Sequence, residues 1–288
     1  MPPTTVTSTG VDNDLARELR EKIARGELEL PMLSQTATEV AALCLQGACD
    51  ARALASTLNH DPALAGHVLR VANSAAFAPA EPIVSLQQAI SRLGLATVGQ
   101  IALAVSIGAR VFQVPGHDGW VREMWRHAAL TAAWAREVAR AKRENVEGAF
   151  VCGLLHDVGE PVLLQAAVDL LTRSKSAATR AQLEPLLDEL HASAGAELAR
   201  RWKMANWISA AIEHHHAPGG GGATAACIVQ LADQLALRMG SDLEEFPARV
   251  SDEVGALPAV AELGLYEEEL AALLARVGAV HSFAGAMQ

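Results

Sequence analysis

The segment WVREMWRHAALTAAWAREV, residues 120–138, carries one stripe of mostly apolar residues at helical spacing. The members of the stripe follow one another at intervals of 4, 3, 4, 3 and 4 residues and are Trp120, Met124, His127, Thr131, Trp134 and Val138. Residues three and four apart share a face of an α-helix, so the segment is predicted to be an amphipathic helix with His127 on its buried side. A buried imidazole needs a partner for each ring nitrogen, and that partner is a hydrogen-bonding group or a metal ion.

The rest of the chain has the same helical character. Ala and Leu dominate it, β-branched runs are short, and no segment keeps a period of two for long, so no sheet is expected. Helix starts are predicted at Asp61-Pro62, at Ser85 and at Asp118, because Asp and Ser cap helix N-termini and Pro suits the first helical position. Helix breaks are predicted at Pro79 and Pro82, at Pro115-Gly116, at Gly159 with Pro161, and at Pro218 followed by Gly219–Gly222.

Composition and charge narrow the function classes. The chain has 288 residues, 23 Lys and Arg against 33 Asp and Glu, and a formal net charge of −10, so it lacks the basic balance of a nucleic-acid reader. The N-terminus does not have the order of a signal peptide, and the four cysteines form no CxxC pair, so a cytoplasmic location is expected. A long stretch without charged residues, between Arg92 and Arg110, contains Gly99, Gln100 and Ser106 and is interpreted as a buried core helix. No membrane association is expected.

The pair His156-Asp157 stands where a carboxylate is costly. It follows the apolar residues Phe150–Leu155 and precedes the Gly159 break, so it is predicted to lie at the last turn of a buried helix. Burial would raise the pKa of Asp157 and neutralise it unless a cation or strong donors compensate. A divalent metal would supply that compensation, since imidazole nitrogen and carboxylate oxygen suit Mn, Fe, Zn, Ni or Co.

Further histidines and one more acid follow on predicted helices. His191 is expected to open a helix that runs to Trp202, and His214-His215-His216 are expected to close the next one. Asp233 has the apolar residues Val229 and Leu237 as its neighbours on one helix face. Facing helices can gather such residues into a metal site, but a buried hydrogen-bonded network without metal fits the same periodicity.

Two other polar groups are interpreted as structural. His60-Asp61 resembles a metal-binding dipeptide, but Asp61 is explained as a helix cap. The basic residues Arg173, Lys175 and Arg180 are spaced by small polar residues, which is typical of a solvated helix end or loop.

The ordered motifs resemble a known family. His127, the segment GLLHDVGE at 153–160 and the segment VQLADQLA around Asp233 resemble the H…HD…D signature of the HD superfamily of metal-dependent phosphohydrolases. Five further segments resemble the HDOD domain, the HD-related output domain of bacterial signalling proteins. They are LPMLSQTATEVAALC near position 30, LNHDPALAGHVLRVANSAAF at 58–77, VSLQQAISRLGL at 84–95, HASAGAELARRW from His191 and AIEHHHAP from Ala211.

The resemblance extends from about residue 28 to residue 240 and implies an all-α HDOD fold. Residues 1–25 are expected to be a flexible tail, up to about Asn13, and a lead-in helix. Residues 26–240 are expected to form the HDOD domain, with an N-terminal helical subdomain at 26–115 and an HD-like helical core at 116–240. Residues 241–288 are expected to be accessory helices that pack on the core, or that offer an apolar surface to a partner or to a second copy in a homodimer.

The resemblance also implies a set of metal ligands. His127, His156, Asp157 and Asp233 would be primary ligands, and His191 with His215 and His216 would complete a second position. His214 falls outside this set and is expected to face solvent. The metal would be a divalent ion such as Fe, Mn, Zn, Ni, Co or Mg.

The function that the family implies is a regulatory or output module that acts through contacts with other signalling proteins. The first alternative is a metal-dependent phosphohydrolase or phosphodiesterase acting on a nucleotide or cyclic dinucleotide, with Asp157 and metal-bound water as the catalytic groups. The second is a structural scaffold whose histidines are core hydrogen-bonders. Two differences from the related HD-GYP phosphodiesterases disfavour the enzymatic alternative. Those enzymes carry a Lys where this chain has Glu160. Their GYP loop is replaced here by Ala217-Pro218 and a glycine run.

Overall fold

The computed structural model describes residues 8–29, 31–32, 35–45, 50–74, 76–77, 79, 81–218 and 223–287. All regular elements in these residues are α-helices, which confirms the predicted all-α class. They are α1 (Ser8–Arg25), α2 (Gln35–Leu45), α3 (Ala51–Asn59), α4 (Pro62–Ala72), α5 (Leu86–Leu93), α6 (Leu95–Arg110), α7 (Asp118–Lys142), α8 (Val146–Leu155), α9 (Gly159–Ser174), α10 (Arg180–Arg201), α11 (Asn206–His214), α12 (Ala223–Leu237), α13 (Phe246–Gly255), α14 (Pro258–Glu262), α15 (Glu267–Leu274) and α16 (Val277–Ala286).

Helices α2–α6 pack around their own apolar cluster, whose members include Leu58, Val68 and Ile101. The charge-free stretch between Arg92 and Arg110 is α6, and every residue of this helix from Val98 to Val105 is buried, which confirms it as a core helix. Gly94 has a φ of 84° and separates α5 from α6, which meet at 119°. Such a φ favours glycine, because a side chain would strain the left-handed backbone.

Helix α7 is the centre of the second, larger cluster. It packs against α8, α12 and α16, and Trp134 on its inner face is fully buried. The ring of Trp134 stacks on Phe246 of α13, with 5.7 Å between ring centroids. On α16, Phe283 meets the edge of Phe150 from α8 at 6.1 Å. The C-terminal helices therefore pack on α7 and α8, and they share one apolar core with them.

Local signals at helix ends account for several of these boundaries. The Asp61 side chain accepts a hydrogen bond from the Leu64 amide at 3.0 Å, and Ser85 Oγ accepts one from the Gln88 amide at 3.2 Å, so both predicted caps are confirmed. The predicted start at Asp118 needs a small correction. Asp118 is the first residue of α7, and His117 occupies the N-cap position without a side-chain cap.

Two sequence predictions about helix starts are wrong. Helix α1 begins at Ser8, inside the stretch up to Asn13 that was expected to be a tail; residues 1–7 lie outside the described residues. His191 does not open a helix but lies in the middle of α10. This helix begins eleven residues earlier because Thr179 and Gln182 form a capping box, in which the Gln182 side chain accepts from the Thr179 amide at 2.9 Å.

One apolar segment, Val146–Ser174, is long and apolar enough to cross a membrane by length and composition. It contains α8 and α9, and 72% of its most apolar window is buried inside the protein.

Candidate metal centre

Five places in the fold deliver the predicted ligands to one region between the helices. Helix α7 supplies one histidine, the turn between α8 and α9 supplies the His-Asp pair, α10 supplies a third histidine, the end of α11 supplies two more, and α12 supplies an aspartate. The structure brings together all seven residues, which are His127, His156, Asp157, His191, His215, His216 and Asp233. They form two groups of candidate ligands, one around His156 and one around His191.

Two glycines allow the turn that carries His156 and Asp157 to approach its neighbours. A Cβ on Gly159 would lie 2.1 Å from the carbonyl oxygen of His191, so α9 and α10 meet backbone to backbone at this point. A Cβ on Gly153 would lie 2.9 Å from Cα of Ala132 on α7. Any larger residue at either position would push the His-Asp turn away from the helices that carry the other ligands.

The main chain orients three of the imidazoles. Nδ1 of His156 lies 2.9 Å from the Gly153 carbonyl, and Nδ1 of His215 lies 2.7 Å from the Ile212 carbonyl. Nδ1 of His191 makes the same contact with the Leu187 carbonyl at 3.2 Å. A carbonyl oxygen only accepts, so each Nδ1 carries the hydrogen and donates it. Each neutral ring therefore directs the lone pair of Nε2 away from its own helix, which is the arrangement that metal-binding histidines show.

These Nε2 atoms point at one another. The Nε2 atoms of His127 and His156 are 3.3 Å apart, and His191 Nε2 lies 3.4 Å from His215 Nε2 and 2.9 Å from His216 Nε2. The main-chain contacts of Nδ1 fix the tautomers of His191 and His215, so in the neutral rings the two Nε2 lone pairs face each other at 3.4 Å and repel unless a cation or a proton lies between them. A fully neutral network does not explain this pair, although neutral His127 and His216 can donate from Nε2 to His156 and His191.

Asp157 connects the two groups of ligands. Its Oδ2 lies 3.0 Å from His156 Nε2 and 3.5 Å from His127 Nε2, while its Oδ1 lies 3.4 Å from His191 Nε2 and 3.5 Å from His215 Nε2. Each carboxylate oxygen thus faces one group. Asp157 would therefore be available to a cation in either group, and Asp233 Oδ1, at 3.0 Å from His127 Nε2, lies beside the first group.

The charges in the cluster depend on one another. Burial alone would raise the pKa of Asp157, but His156 and the other imidazoles outweigh it and hold this pKa well below its usual range. Burial likewise opposes the charged form of His156, and Asp157 outweighs it, so the pKa of His156 is raised. Burial, together with His215, lowers the pKa of His216 to about 4. A donor set of five imidazoles and two carboxylates fits divalent metal ions.

A pocket of about 670 Å³ opens directly onto this centre. Arg180 stands at its rim, where its guanidinium lies 4.9 Å from the centroid of the Trp120 ring and binds Glu123 at 2.7 Å and Glu184 at 3.4 Å. Arg126 also lines the pocket and has no ion pair within the part of the chain that the structure describes. Through this pocket a small molecule can reach the candidate ligands.

The sequence interpretation missed the rim of this pocket. Arg180 is half exposed, as expected, but it is not an isolated surface charge. Its distance from His191 is eleven residues, or about three turns, so both residues share one face of α10. On α7, the sequence feature that indicates the second arginine of the pocket is the position of Arg126 directly before His127. The other structural interpretations agree with the structure: Asp61 caps α4, and His214 is exposed and outside the cluster.

The pocket is more acidic than basic. Its lining carries six acidic residues, Glu123, Asp157, Glu160, Glu184, Asp188 and Asp233, against the two arginines Arg126 and Arg180. Burial, and next the charge of Asp157, raise the pKa of Glu160 to about 8, which shows how unfavourable a further negative charge is at this place. Two divalent ions would neutralise the formal excess of four negative charges but would not make the pocket basic.

Comparison with known proteins places these observations in context. The family model of the HDOD domain matches residues 30–218, which include every candidate ligand except Asp233. An uncharacterised protein of Treponema pallidum (strain Nichols) is 28% identical over 159 residues, which are 52% of this chain and 30% of that protein. The chain therefore matches less than a third of the length of this curated relative.

Solved structures show the same fold. A presumed phosphohydrolase of Shewanella amazonensis SB2B is 23% identical, with a TM-score of 0.69 over 94% of this chain and 98% of that one. A presumed signal transduction protein of Marinobacter aquaeolei VT8 is 24% identical, with a TM-score of 0.69 over 99% of this chain and 67% of that one. At these identities the similarity establishes the fold alone.

Proposed function

The chain belongs to the HDOD family, and from this premise we propose that it is a regulatory module of signal transduction whose His/Asp centre binds divalent metal. One observation carries the metal assignment. The Nε2 atoms of His156, His191 and His215 are directed at a common space by main-chain contacts of their Nδ1 atoms, and Asp157 presents one oxygen to each group.

The two groups of residues would hold two ions. His127, His156, Asp157 and Asp233 would form one position, and His191, His215 and His216 would form the other, with Asp157 shared between them. When bound, a divalent metal in such a site supplies positive charge and lowers the pKa of a coordinated water to about 7. The carbonyls of Gly153, Leu187 and Ile212 keep the rings of His156, His191 and His215 oriented.

The acidity of the pocket supports a regulatory role over hydrolysis of nucleotides. Glu160 and Asp188 line the space beside the centre, where a phosphate substrate would need basic groups. Of the two arginines that line the pocket, Arg180 is engaged by Glu123 and Glu184, and Arg126 has no ion pair among the described residues. We propose that other signalling proteins, acting in the cytoplasm, are the partners that respond to the state of the centre.

Metal analysis of the full chain purified without chelators tests this assignment. We expect up to two divalent ions per chain, with both lost in Asp157→Ala and one lost in His216→Ala. His214→Ala is the matched control, since His214 is the exposed neighbour outside the cluster and its loss should leave the metal content unchanged. Equal metal content in Asp157→Ala and His214→Ala would reject the centre.

A metal-dependent phosphohydrolase is the second candidate, and the pocket that opens onto the centre is the observation that favours it. Cyclic dinucleotides and a chromogenic phosphodiester are suitable substrates for the assay. Under our proposal neither the native chain nor Glu160→Lys turns them over. Turnover that Glu160→Lys increases and Asp157→Ala abolishes would establish the enzyme instead.

A further inference from the structure

A second cavity lies on the other side of α7 from the metal centre. Arg136 follows His127 by nine residues, which is about 14 Å along the helix axis and half a turn around it. The cavity has a volume of about 330 Å³, is lined by residues of α7 and α16 together with Phe77, and shares no lining residue with the pocket of the metal centre. It is therefore a separate site.

Arg136 lines this cavity and is poorly paired. Its side chain is 13% exposed, and its Nε and Nη1 atoms are buried without a hydrogen-bond partner among the described residues. The closest carboxylate oxygen, Oε1 of Glu137, is 4.0 Å from Nε, which is too far for a hydrogen bond. Glu137 instead binds Arg140 and, at 3.3 Å, Arg276. The remaining neighbour of the Arg136 guanidinium is the ring of Phe283, at 4.2 Å.

The charges around Arg136 do not balance. Arg136, Arg140 and Arg276 face the two acids Glu137 and Glu147, so the group has an excess of one positive charge. Burial, and next the charge of Arg140, lower the pKa of Arg136 to about 10, so the side chain stays charged at neutral pH. A buried guanidinium is unfavourable unless it is paired and hydrogen-bonded, and the cavity beside it has room for the missing anion.

We propose that this cavity binds the carboxylate group of a small organic acid, with Arg136 as its charge partner. A guanidinium offers a planar fork that matches a carboxylate. The excess of one charge calls for a monoanion rather than a phosphate dianion. One part of the wall is apolar, with Phe77, Ala133, Val280 and Phe283, and suits the hydrocarbon part of such an acid. Glu137, Arg276 and Ser282 also line the cavity, and Arg276 binds Glu137. Because α7 carries both Arg136 and His127, the site connects the C-terminal helix α16 with the helix of the metal centre.

Calorimetric titration of the full chain with benzoate, at constant ionic strength against sodium chloride, tests the proposal. We expect saturable binding to the native chain and at least tenfold weaker binding to Arg136→Met. Arg140→Met removes the same charge from an exposed position that does not line the cavity, so it should weaken benzoate binding by less than Arg136→Met does. Metal content measured on each variant shows that the centre, and with it the fold, is intact.

A second variant keeps the test valid if Arg136→Met does not fold. Gly278 lines the cavity, and a Cβ added there meets no atom within 4 Å, so Gly278→Leu should fold and should reduce benzoate binding by filling the space. No binding of benzoate to the native chain would overturn the proposal, as would equal binding to the native chain and to Gly278→Leu. Tighter binding of inorganic phosphate than of benzoate at the same site would overturn the assignment to a monocarboxylate.

Discussion

Asp157 shows at the scale of one residue how a carboxylate can stay ionised in an apolar core. Burial raises its pKa, but imidazoles on both sides, His156 first among them, lower it by more, so Asp157 and His156 hold each other in their charged forms. Glu160 stands one helical turn further along, where burial and the negative charge of Asp157 outweigh the charge of His156 and raise the pKa of Glu160. Both acids are buried and lie three residues apart, but the pKa of Asp157 is lowered and the pKa of Glu160 is raised.

Glu160→Gln is predicted to stabilise the metal-free protein in a pH-dependent way. The pKa of Glu160 is raised from 4.5 to about 8 in the folded chain, so the folded state keeps a proton that the unfolded state releases between these values. Stability is lost as pH rises through this range, and the full cost is present above pH 8. Urea denaturation should therefore show little difference between the native chain and Glu160→Gln near pH 4.5, and a gain of about 1–3 kcal/mol for the variant at pH 8.5.

The exposed rim residue Glu184 provides the control, because Glu184→Gln removes a charge from the same pocket without removing a buried acid. Bound metal should reduce the gain of Glu160→Gln, since a cation beside Asp157 favours the ionised form of Glu160. A gain that is the same at pH 4.5 and pH 8.5 would contradict the assigned titration.

At the scale of the helices, the contact of α9 with α10 determines the position of the centre. A Cβ at Gly159 would overlap the main chain of His191, and main-chain atoms cannot move aside as a flexible side chain can. Gly159→Ala is predicted to cost about 2–4 kcal/mol in the free energy of unfolding. The variant should also lose metal, because the His156-Asp157 turn must shift away from His191. Urea denaturation and metal analysis of the same preparation measure both effects.

Gly66→Ala is the matched control for Gly159→Ala. Gly66 lies within α4, and a Cβ added there meets nothing within 4 Å. Alanine favours a helix over glycine, so this variant should be as stable as the native chain or more stable by about 0.5–1 kcal/mol. If both glycine variants behaved alike, close helix packing would not be the reason for Gly159.

The sequence alone predicts those features of the helices that depend only on residues of the same helix. Asp61 and Ser85 were identifiable as caps because a cap uses only its own helix, and the stripe on α7 placed His127 correctly because burial follows helical period. The start of α10 was missed because a polar first turn, from Arg180 onward, has no apolar period. The pocket rim was missed for a different reason: Arg180 meets Trp120 and Glu123 only after α10 packs beside α7.

At the scale of the whole molecule, the helices after Gly240 are part of the structure that supports the centre. Trp134 on α7 is fully buried, and the residue stacked on it, Phe246, belongs to α13. The same α7 carries His127 and Arg136, so the C-terminal helices hold the element that both sites share. The predicted end of the HDOD domain at residue 240 stays a prediction. The apolar core contains residues from both sides of this position.

A chain that ends at Gly240 is therefore predicted not to fold as an independent metal-binding domain. The finer version of this test is Phe246→Ala, which removes a fully buried ring from the shared core and should cost about 3–5 kcal/mol in the free energy of unfolding. Tyr266→Ala removes an aromatic residue from the same C-terminal helices at a position that is 77% exposed, so it should change stability by no more than about 0.5 kcal/mol. Urea denaturation followed by tryptophan fluorescence reports on the five tryptophans of the chain, of which Trp134 is fully buried. If the shortened chain kept native fluorescence and metal content, the C-terminal helices would be an accessory layer, and the continuity of the core across Gly240 would have no energetic consequence.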